Sequence, residues 1–250
     1  MLDADMLRIA FAAAAAAGVC FFAAMTGSGS GLIMVPLLTF LGLPMVEAIA
    51  IHKFESTLWT TISASRYLRR QQVLFLDFPA YLVLGCIGTF FGAELIHFIS
   101  DDLLKSVVGT AILVVGFWIV FFHRDPQPME IVPWKRGLLI GSMFFFGLYE
   151  GTFGSGNGYF IAALFFSLIG SDVLKTIGMI TVLAAVWNLV AVATHYSLGS
   201  LHFQYAIPVG IGSSIGAWFG AGFGIAKGAK FVRWVMVGGA FIAGALILVS

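Results

Sequence analysis

Two glycine-rich stretches, Gly27-Ser28-Gly29-Ser30-Gly31 and Gly154-Ser155-Gly156-Asn157-Gly158, interrupt apolar sequence at equivalent positions 127 residues apart. Glycine at every second position disfavours a continuous helix, because glycine loses more conformational freedom on folding than any other residue. Neither stretch is a nucleotide-binding phosphate loop, since no Gly-Lys-Ser/Thr follows. We therefore expect each stretch, called here the first and the second glycine loop, to be unwound backbone between two helices.

The similarity between the two halves of the chain extends beyond the glycine loops. After one inserted residue, Trp59 aligns with Trp187, and a Gly-x-x-x-Gly-Ala pattern at 88–93 aligns with the same pattern at 216–221. Shared glycine and tryptophan carry this argument, because apolar residues match easily by chance. The sequence therefore predicts a duplicated chain. Its predicted parts are a first transmembrane repeat at 1–122, a cytoplasmic linker at 123–136 and a second transmembrane repeat at 137–250.

The composition of the chain is that of an integral membrane protein. Of the 250 residues, 60% are hydrophobic and only 10% are charged, and the mean hydropathy is +1.01. Soluble domains carry about a quarter charged residues. The net charge of +1 provides no basic field for nucleic acid. The expected partners are therefore the lipid bilayer and a small solute.

Charged, glycine and proline residues divide each half into five apolar segments. Most segments approach the roughly 20 residues that a helix needs to cross a 30 Å hydrocarbon core. The second segment of each half is much shorter and directly follows a glycine loop, a pattern that points to a transporter's binding site. The sequence predicts an all-α polytopic membrane protein with glycine-interrupted short helices at the midplane. The predicted segments are 7–25, 31–43, 47–66, 78–99, 103–122, 137–152, 158–169, 173–194, 203–226 and 231–249.

The positions of lysine and arginine predict the orientation of the segments, since cytoplasmic loops carry an excess of these residues. The basic loop at 66–70 corresponds to a loop at 197–202 without lysine or arginine, and the acidic loop at 101–102 corresponds to a basic loop at 227–233. Equivalent loops thus have opposite character, which predicts inverted repeats with both termini outside. This topology counts the short segments as crossings; if they are re-entrant instead, two crossings are lost.

The glycine loops are the first candidates for a binding site. Helices that begin near Gly31 and Gly158 would direct unpaired N–H groups and positive dipole ends at the space beside the loops, which indicates an anion site. The alternative is that the glycines only allow close helix packing. The predicted substrate-binding residues are Gly27, Ser28, Gly29, Ser30, Gly31, His52, Lys53, Trp59, Gly154, Ser155, Gly156, Asn157, Gly158, Trp187 and Asn188.

Four ionisable side chains lie within apolar segments, where charge is costly and usually faces a cavity or a partner. Lys53 would either add charge to the anion site or extend to the membrane surface, and His52 would act beside it. Glu55 and Glu150 are candidates for proton coupling, and Glu55 could instead pair with Lys53 or His52. The two tryptophans are expected to wall the cavity, with interfacial anchoring as the alternative.

The sequence gives little support to catalysis or to a bound cofactor. No nucleophile, base and orienting group can be assembled from the five histidines, and neither His-Glu-x-x-His nor Cys-x-x-Cys spacing occurs. We therefore expect no catalytic residues, no metal site and no cofactor.

Taken together, these motifs resemble the TauE/SafE sulfite exporter family over nearly the whole chain. The resemblance implies a secondary transporter of small anions, with sulfite, organosulfonates and related sulfur oxyanions as the substrate class, in a bacterial inner membrane. Three departures put the exact anion in doubt: Ala162-Ala163-Leu164 replaces the first half's Val35-Pro36-Leu37, Ser30 and Asn157 stand where the family often has glycine, and His52-Lys53-Phe54-Glu55 is more polar than is usual in the family. The alternative is that these changes adapt the chain to a doubly charged oxyanion. The motifs are the first glycine loop, Val35-Pro36-Leu37-Leu38, Leu41-Gly42-Leu43-Pro44, Arg66-Tyr67-Leu68-Arg69-Arg70 and Gly88-x-x-x-Gly92-Ala93.

The leading functional hypothesis is export of sulfite or a closely related oxyanion by alternating access, in which one repeat rocks against the other. Proton-coupled uptake of an organosulfonate or another small organic anion is the first alternative. A small-anion channel is the second. The sequence leaves a homodimer open.

Overall fold

The computed structural model describes residues 2–98 and 131–249, and all regular structure in these ranges is helical. The predicted segment 103–122 and the linker residues 123–130 lie outside the described residues. The described helices are α1 (Leu2–Thr26), α2 (Gly31–Phe40), α3 (Met45–Arg69), α4 (Phe78–Leu95) with a short 3-10 turn (Ile96–Phe98), α5 (Pro133–Thr152), α6 (Asn157–Ile169), α7 (Val173–Ser197), α8 (Phe203–Lys227) and α9 (Ala229–Val249).

The helices confirm the all-α prediction. Several predicted segment ends differ from the helix ends, and two of these differences have a clear local cause. Helix α2 ends at Phe40 instead of residue 43, because Gly42 adopts φ +98° and turns the chain towards Pro44. Helix α5 begins at Pro133, inside the predicted linker. Proline is well suited to the first turn of a helix, where its missing N–H costs nothing.

Four helices in the described part of the chain are long and apolar enough to cross a membrane. They are Asp5–Thr26 within α1, together with α4, α7 and α8. Helix α3 is as long as α7 but carries buried polar side chains along its length. The short helices α2 and α6 contain 10 and 13 residues, which correspond to only about 15 and 20 Å of helix. The chain is thus a multi-pass membrane protein with two short apolar helices.

The helices pack in corresponding pairs. Helix α1 lies along α8, and α4 lies along α5, while α3 and α7 contact each other at the centre. Under the predicted duplication α1 corresponds to α5 and α4 to α8, so the two outer pairs are equivalent. The contacts therefore support the duplication, which itself remains a prediction, as do the inversion of the repeats and their boundaries.

Both outer pairs are held together at glycines. A methyl group built at Gly88 of α4 would lie 2.1 Å from the carbonyl oxygen of Phe144, and one built at Gly216 of α8 would lie 2.0 Å from the carbonyl oxygen of Ala17. These distances are far below van der Waals contact, so only glycine permits the observed approach of the backbones. The predicted packing role of these glycines agrees with this geometry.

Two ion pairs show which helix ends lie together. The carboxylate of Glu47, near the start of α3, lies 3.3 Å from the ring of His202, directly before α8. At the start of α4, Asp77 pairs with Arg136 near the start of α5. The predicted topology places the first pair outside and the second pair inside, and that assignment of sides stays a prediction.

Substitution of the packing glycines tests this account of the fold. Gly88→Ala should lower the free energy of unfolding by about 1–3 kcal/mol, because the added methyl group meets backbone atoms that cannot move aside. Thermal unfolding in detergent would measure this effect. Gly141→Ala in α5 is the control, since a methyl group there meets no atom within 4 Å, and it should be neutral or slightly stabilising. Equal losses in the two variants would contradict the packing role.

Candidate functional site

The two glycine loops have the same backbone conformation. Gly27 and Gly154 adopt φ +73° and +70°, and Gly29 and Gly156 adopt φ +101° and +84°. These values lie in the left-handed region that favours glycine. Each loop therefore turns the chain between two helices at equivalent points, with α2 beginning at Gly31 and α6 at Asn157.

The loops meet each other inside the protein. The backbone N–H of Gly158 donates a hydrogen bond to Ser28 Oγ at 3.1 Å. On the other side, a methyl group at Gly31 would lie 1.9 Å from Ser155 Oγ and 2.3 Å from His52 Nε2. Ser28 therefore joins the loops, and the last glycine of the first loop makes room for the polar groups opposite it.

A small cavity of about 30 Å³ lies where the loops meet. A buried water needs roughly 10–15 Å³ on the same scale, so the cavity has room for a few heavy atoms, whereas drug-sized ligands occupy several hundred Å³. The cavity is lined by Gly27, Ser28, Gly29, Ser30, Gly31, His52, Ser56, Trp59, Thr60, Glu150, Gly154, Ser155, Asn157, Gly158, Ile161, Ile180, Ala184, Trp187 and Asn188.

Most of the predicted site residues thus line one cavity, and three do not. Lys53, Glu55 and Gly156 are absent from its wall. Thr60, the repeat counterpart of Asn188, was expected to face the cavity beside Trp59 and does line it. The sequence reasoning missed Ser56 on α3 and, on the apolar side, Ile161, Ile180 and Ala184. Helical spacing could have found several of them, because positions 52, 56, 59 and 60 share one face of α3, and positions 180, 184, 187 and 188 share one face of α7.

Lys53 is fully buried and forms an ion pair across the two halves of the chain. Its Nζ lies 3.1 Å from Glu150 Oε1, and a methyl group at Gly154 would clash with it at 2.1 Å. The alternative that Lys53 extends to the membrane surface is wrong. Because Gly154 has no side chain, the ammonium group of Lys53 fits in the protein interior beside the Glu150 carboxylate. The charge of Lys53 is balanced by Glu150.

Glu150 connects this ion pair to the second glycine loop. Asn157 Nδ2 donates to Glu150 Oε2 at 2.8 Å and to the carbonyl oxygen of Phe146 at 3.0 Å. Each oxygen of the carboxylate therefore has a partner. A buried carboxylate needs such partners, since desolvation of an isolated charge is costly.

Glu55 lies on the other side of α3 and contacts His52. Its Oε1 is 3.4 Å from His52 Nδ1 and 3.5 Å from Cys20 Sγ, and its side chain is fully buried. Lys53 and His52 are the partners that the sequence suggests for Glu55, and in the structure the partner is His52. His52 links this carboxylate to the cavity, because its ring also lines the cavity wall.

Both tryptophans are buried in the cavity wall, which rules out interfacial anchoring. Trp59 Nε1 donates to Ser30 Oγ at 3.1 Å, whereas Trp187 Nε1 donates to the carbonyl oxygen of Leu82 at 3.2 Å. The first tryptophan therefore fixes a glycine loop directly. The second is fixed by α4, where a methyl group at Gly85 would lie 2.0 Å from the indole.

Three polar atoms of the cavity residues have no hydrogen-bond partner within the described part of the protein. They are Ser155 Oγ, Asn157 Oδ1 and Asn188 Oδ1, all buried. Buried polar groups are nearly always paired with protein, water or ligand. The site is therefore equipped to bind a small polar solute. Within the ranges 2–98 and 131–249, no group of three His, Cys, Asp or Glu side chains is placed to hold a metal ion.

A multi-span helical protein with interrupted helices around a small buried polar cavity has the architecture of a membrane transporter. Residues 10–247 match the family described as sulfite exporter TauE/SafE, and the chain belongs to that family.

Three curated relatives are themselves described as membrane transporters. The chain is 25% identical to "Probable membrane transporter protein ORF9" of Sinorhizobium sp., covering 93% of this chain and 88% of the relative. It is 28% identical to a "Probable membrane transporter protein" of Haemophilus influenzae, covering 93% and 91%. It is 23% identical to "Probable membrane transporter protein YfcA" of Escherichia coli, covering 88% and 85%. No solved structure matches the chain.

The buried ion pair can be tested by a double-mutant cycle. Lys53→Met should destabilise the protein by roughly 3–5 kcal/mol, because it leaves the Glu150 carboxylate buried without its cation. Adding Glu150→Gln to Lys53→Met should recover a large part of that loss, since no unpaired charge remains. Unfolding in mixed micelles would measure both variants. A double variant that is no more stable than Lys53→Met alone would contradict the pairing.

Proposed function

We propose that the protein exports sulfite, or a closely related small sulfur oxyanion, across the bacterial inner membrane by alternating access. The observation that carries this proposal is the cavity at the meeting point of the two glycine loops, with buried polar atoms that lack a protein partner. The family description supports sulfite as the substrate. The small size of the cavity favours an anion of a few heavy atoms over a larger organic solute.

The anion would be held mainly by dipoles and hydrogen bonds. The amino ends of α2 and α6 lie at the cavity, and a helix amino end carries about half a positive charge. Lys53 contributes little net charge, because Glu150 neutralises it. His52 is the one cavity-lining side chain in the described part of the protein that can add a positive charge. A singly charged oxyanion therefore suits the site better than a strongly charged one.

The unpaired groups also favour an anion that carries a proton. Ser155 can donate to an anionic oxygen, whereas the free Oδ1 atoms of Asn157 and Asn188 can only accept. Hydrogensulfite offers both acceptor oxygens and an acidic O–H group. It would satisfy the donor and one of the two acceptors.

Alternating access would use the helix pairs described above. The glycine contacts fix α1 on α8 and α4 on α5, and each pair takes one helix from each predicted repeat. Each pair would therefore move as one body around the loops, in place of one repeat rocking against the other. The membrane potential already favours anion efflux by about 2.3 kcal/mol per charge per 100 mV, and export then requires no proton.

Sulfite flux from proteoliposomes tests the proposal. We expect saturable flux that follows an imposed potential, shows counterflow and is inhibited by sulfite analogues more than by taurine. Flux that does not saturate and shows no counterflow would instead establish a channel. Absence of sulfite flux would refute sulfite as the substrate.

Removal of the free hydroxyl tests the site itself. Ser155→Ala should weaken apparent sulfite affinity by about threefold to tenfold, since a hydrogen bond to a charged group contributes roughly 1 kcal/mol or more. Ser167→Ala is the matched control, because its exposed hydroxyl only donates to the carbonyl oxygen of Ala163. Unchanged affinity in Ser155→Ala would rule out a role of this side chain in binding.

A second candidate is proton-coupled uptake of an organosulfonate or another small organic anion, and Glu55 favours it. This carboxylate is fully buried, and its Oε2 has no partner in the described part of the protein. A buried carboxylate beside the cavity histidine could take up a proton during transport.

Glu55→Gln separates the two candidates. Under potential-driven sulfite export, the variant should keep its flux and its dependence on the imposed potential, because no proton is carried. Under proton-coupled uptake, the variant should lose flux driven by an imposed pH gradient. Parallel measurements under each gradient, with sulfite and with an alkyl sulfonate, would decide between them.

A further inference from the structure

A basic cleft lies at the carboxyl ends of α3 and α8 and shares no lining residue with the cavity between the glycine loops. Its volume is about 440 Å³, so it is far larger than the cavity between the loops. Three arginines face apolar side chains across it. The cleft is lined by Arg66, Arg69, Arg70, Trp218, Gly222, Ile225 and Ala226.

The guanidinium group of Arg66 is held in place on two sides. Its central carbon lies 4.4 Å from the centre of the Trp218 ring, a distance at which cation and ring attract. A methyl group at Gly222 would lie 1.9 Å from Arg66 Nη2, so the guanidinium group lies directly against α8 at this glycine. The cleft therefore has a fixed cationic wall, in contrast to a freely moving surface side chain.

Within residues 2–98 and 131–249, no ion pair balances the positive charge of the cleft. Among the residues that the structure describes, no carboxylate forms an ion pair with Arg66, Arg69 or Arg70; the recorded arginine pairs involve Arg8 and Arg136. The carboxyl end of α3 supplies only about half a negative charge. Each of the three guanidinium groups carries a full positive charge and five N–H donors. The helix end therefore neutralises only a small part of their charge and can accept hydrogen bonds from only a few of their donors.

An apolar strip on the outer face of α8 leads to the cleft. Ile207, Ile211 and Ile215 follow one another at helical spacing and are 49–57% exposed, and Trp218 continues the strip with 40% exposure. Such a strip faces lipid in a membrane-spanning helix. A ligand with a long apolar part and an anionic head would contact both the strip and the arginines.

We propose that this cleft binds the phosphate group of an anionic phospholipid, with an acyl chain along the apolar strip of α8. Arginine is suited to this ligand, because its planar fork binds two phosphate oxygens at once. The excess of guanidinium groups would repel the ammonium of a zwitterionic headgroup. Basic clefts of this kind between membrane helices bind anionic headgroups on the cytoplasmic side, which is the side predicted for residues 66–70.

Native mass spectrometry of the purified full-length protein with phosphatidylglycerol or phosphatidylcholine of the same chains tests this proposal. We expect preferential retention of phosphatidylglycerol. Arg66→Gln should lower its affinity about tenfold, as expected for loss of a charge-assisted, bidentate contact. Lys135→Gln is the control, because it removes one positive charge on the same predicted side, away from the cleft. Arg70→Gln provides a second, more exposed variant in case Arg66→Gln does not fold.

Arg66→Lys distinguishes a built site from diffuse attraction. It keeps the charge but loses the planar fork, so the proposed site predicts affinity well below that of the original protein. Equal binding by Arg66→Lys and the original protein, or equal losses in Arg66→Gln and Lys135→Gln, would overturn the proposal. Displacement of the lipid by millimolar sulfite or inorganic phosphate would also overturn it, since the cleft would then be a site for free oxyanions. These binding measurements do not depend on whether the protein transports sulfite.

Discussion

The structure depends on one constraint: unwound backbone inside a membrane must be covered by protein, because hydrocarbon cannot satisfy its N–H and C=O groups. Each glycine loop breaks a helix at such a position, and neither loop can be left facing lipid. They cover each other, and the hydrogen bond from Gly158 N–H to Ser28 Oγ crosses the contact. The central helices α3 and α7 close the remaining sides with their tryptophans. The close glycine packing of α1 on α8 and of α4 on α5 completes the enclosure.

This enclosure determines the electrostatics of the site. Lys53 and Glu150 are buried together, and the cost of removing both charges from water is reduced only because they contact each other and because Asn157 binds the second carboxylate oxygen. The pair therefore stabilises the contact between the two halves of the chain without giving the cavity a full positive charge. Attraction for an anion is left to helix ends, hydroxyl groups and His52. Under the proposed function, such a site would bind an anion less tightly than a site with an unpaired lysine. Release of the anion on the far side of the membrane would be correspondingly easier.

Much of the fold could be predicted from the sequence, because hydrophobic length and glycine spacing are local properties. The helix starts at Gly31, Phe78, Val173 and Phe203 agree with the predicted segments, and all residues of both loops except Gly156 line one cavity. The partner of Lys53 was not predictable in the same way. Glu150 lies 97 residues away, and its counterpart in the first half is Ala23, so the duplication gives no hint of a pair. Ser56 was missed for a different reason: helical spacing from His52 indicates it, but a polar residue on a helix face can equally well bond to its own backbone, as Thr60 Oγ1 does to the carbonyl oxygen of Ser56.

The differences between the halves bear on the direction of transport under the proposed mechanism. On α3 the cavity meets His52, with Lys53 and Glu55 behind it, whereas the positions equivalent to these three on α7 are Ile180, Thr181 and Leu183. The first glycine loop is fixed by Trp59, and the second by the network of Glu150 and Asn157. Two repeats with identical side chains would make the inward-open and outward-open states equal in energy in the absence of a membrane potential. Here α3 carries His52, Lys53 and Glu55 where α7 carries largely apolar side chains, so under the proposed mechanism opening the cavity beside α3 would hydrate groups that opening beside α7 would leave dry. The two open states would then differ in energy, and the sequence differences between α3 and α7 would contribute to that difference.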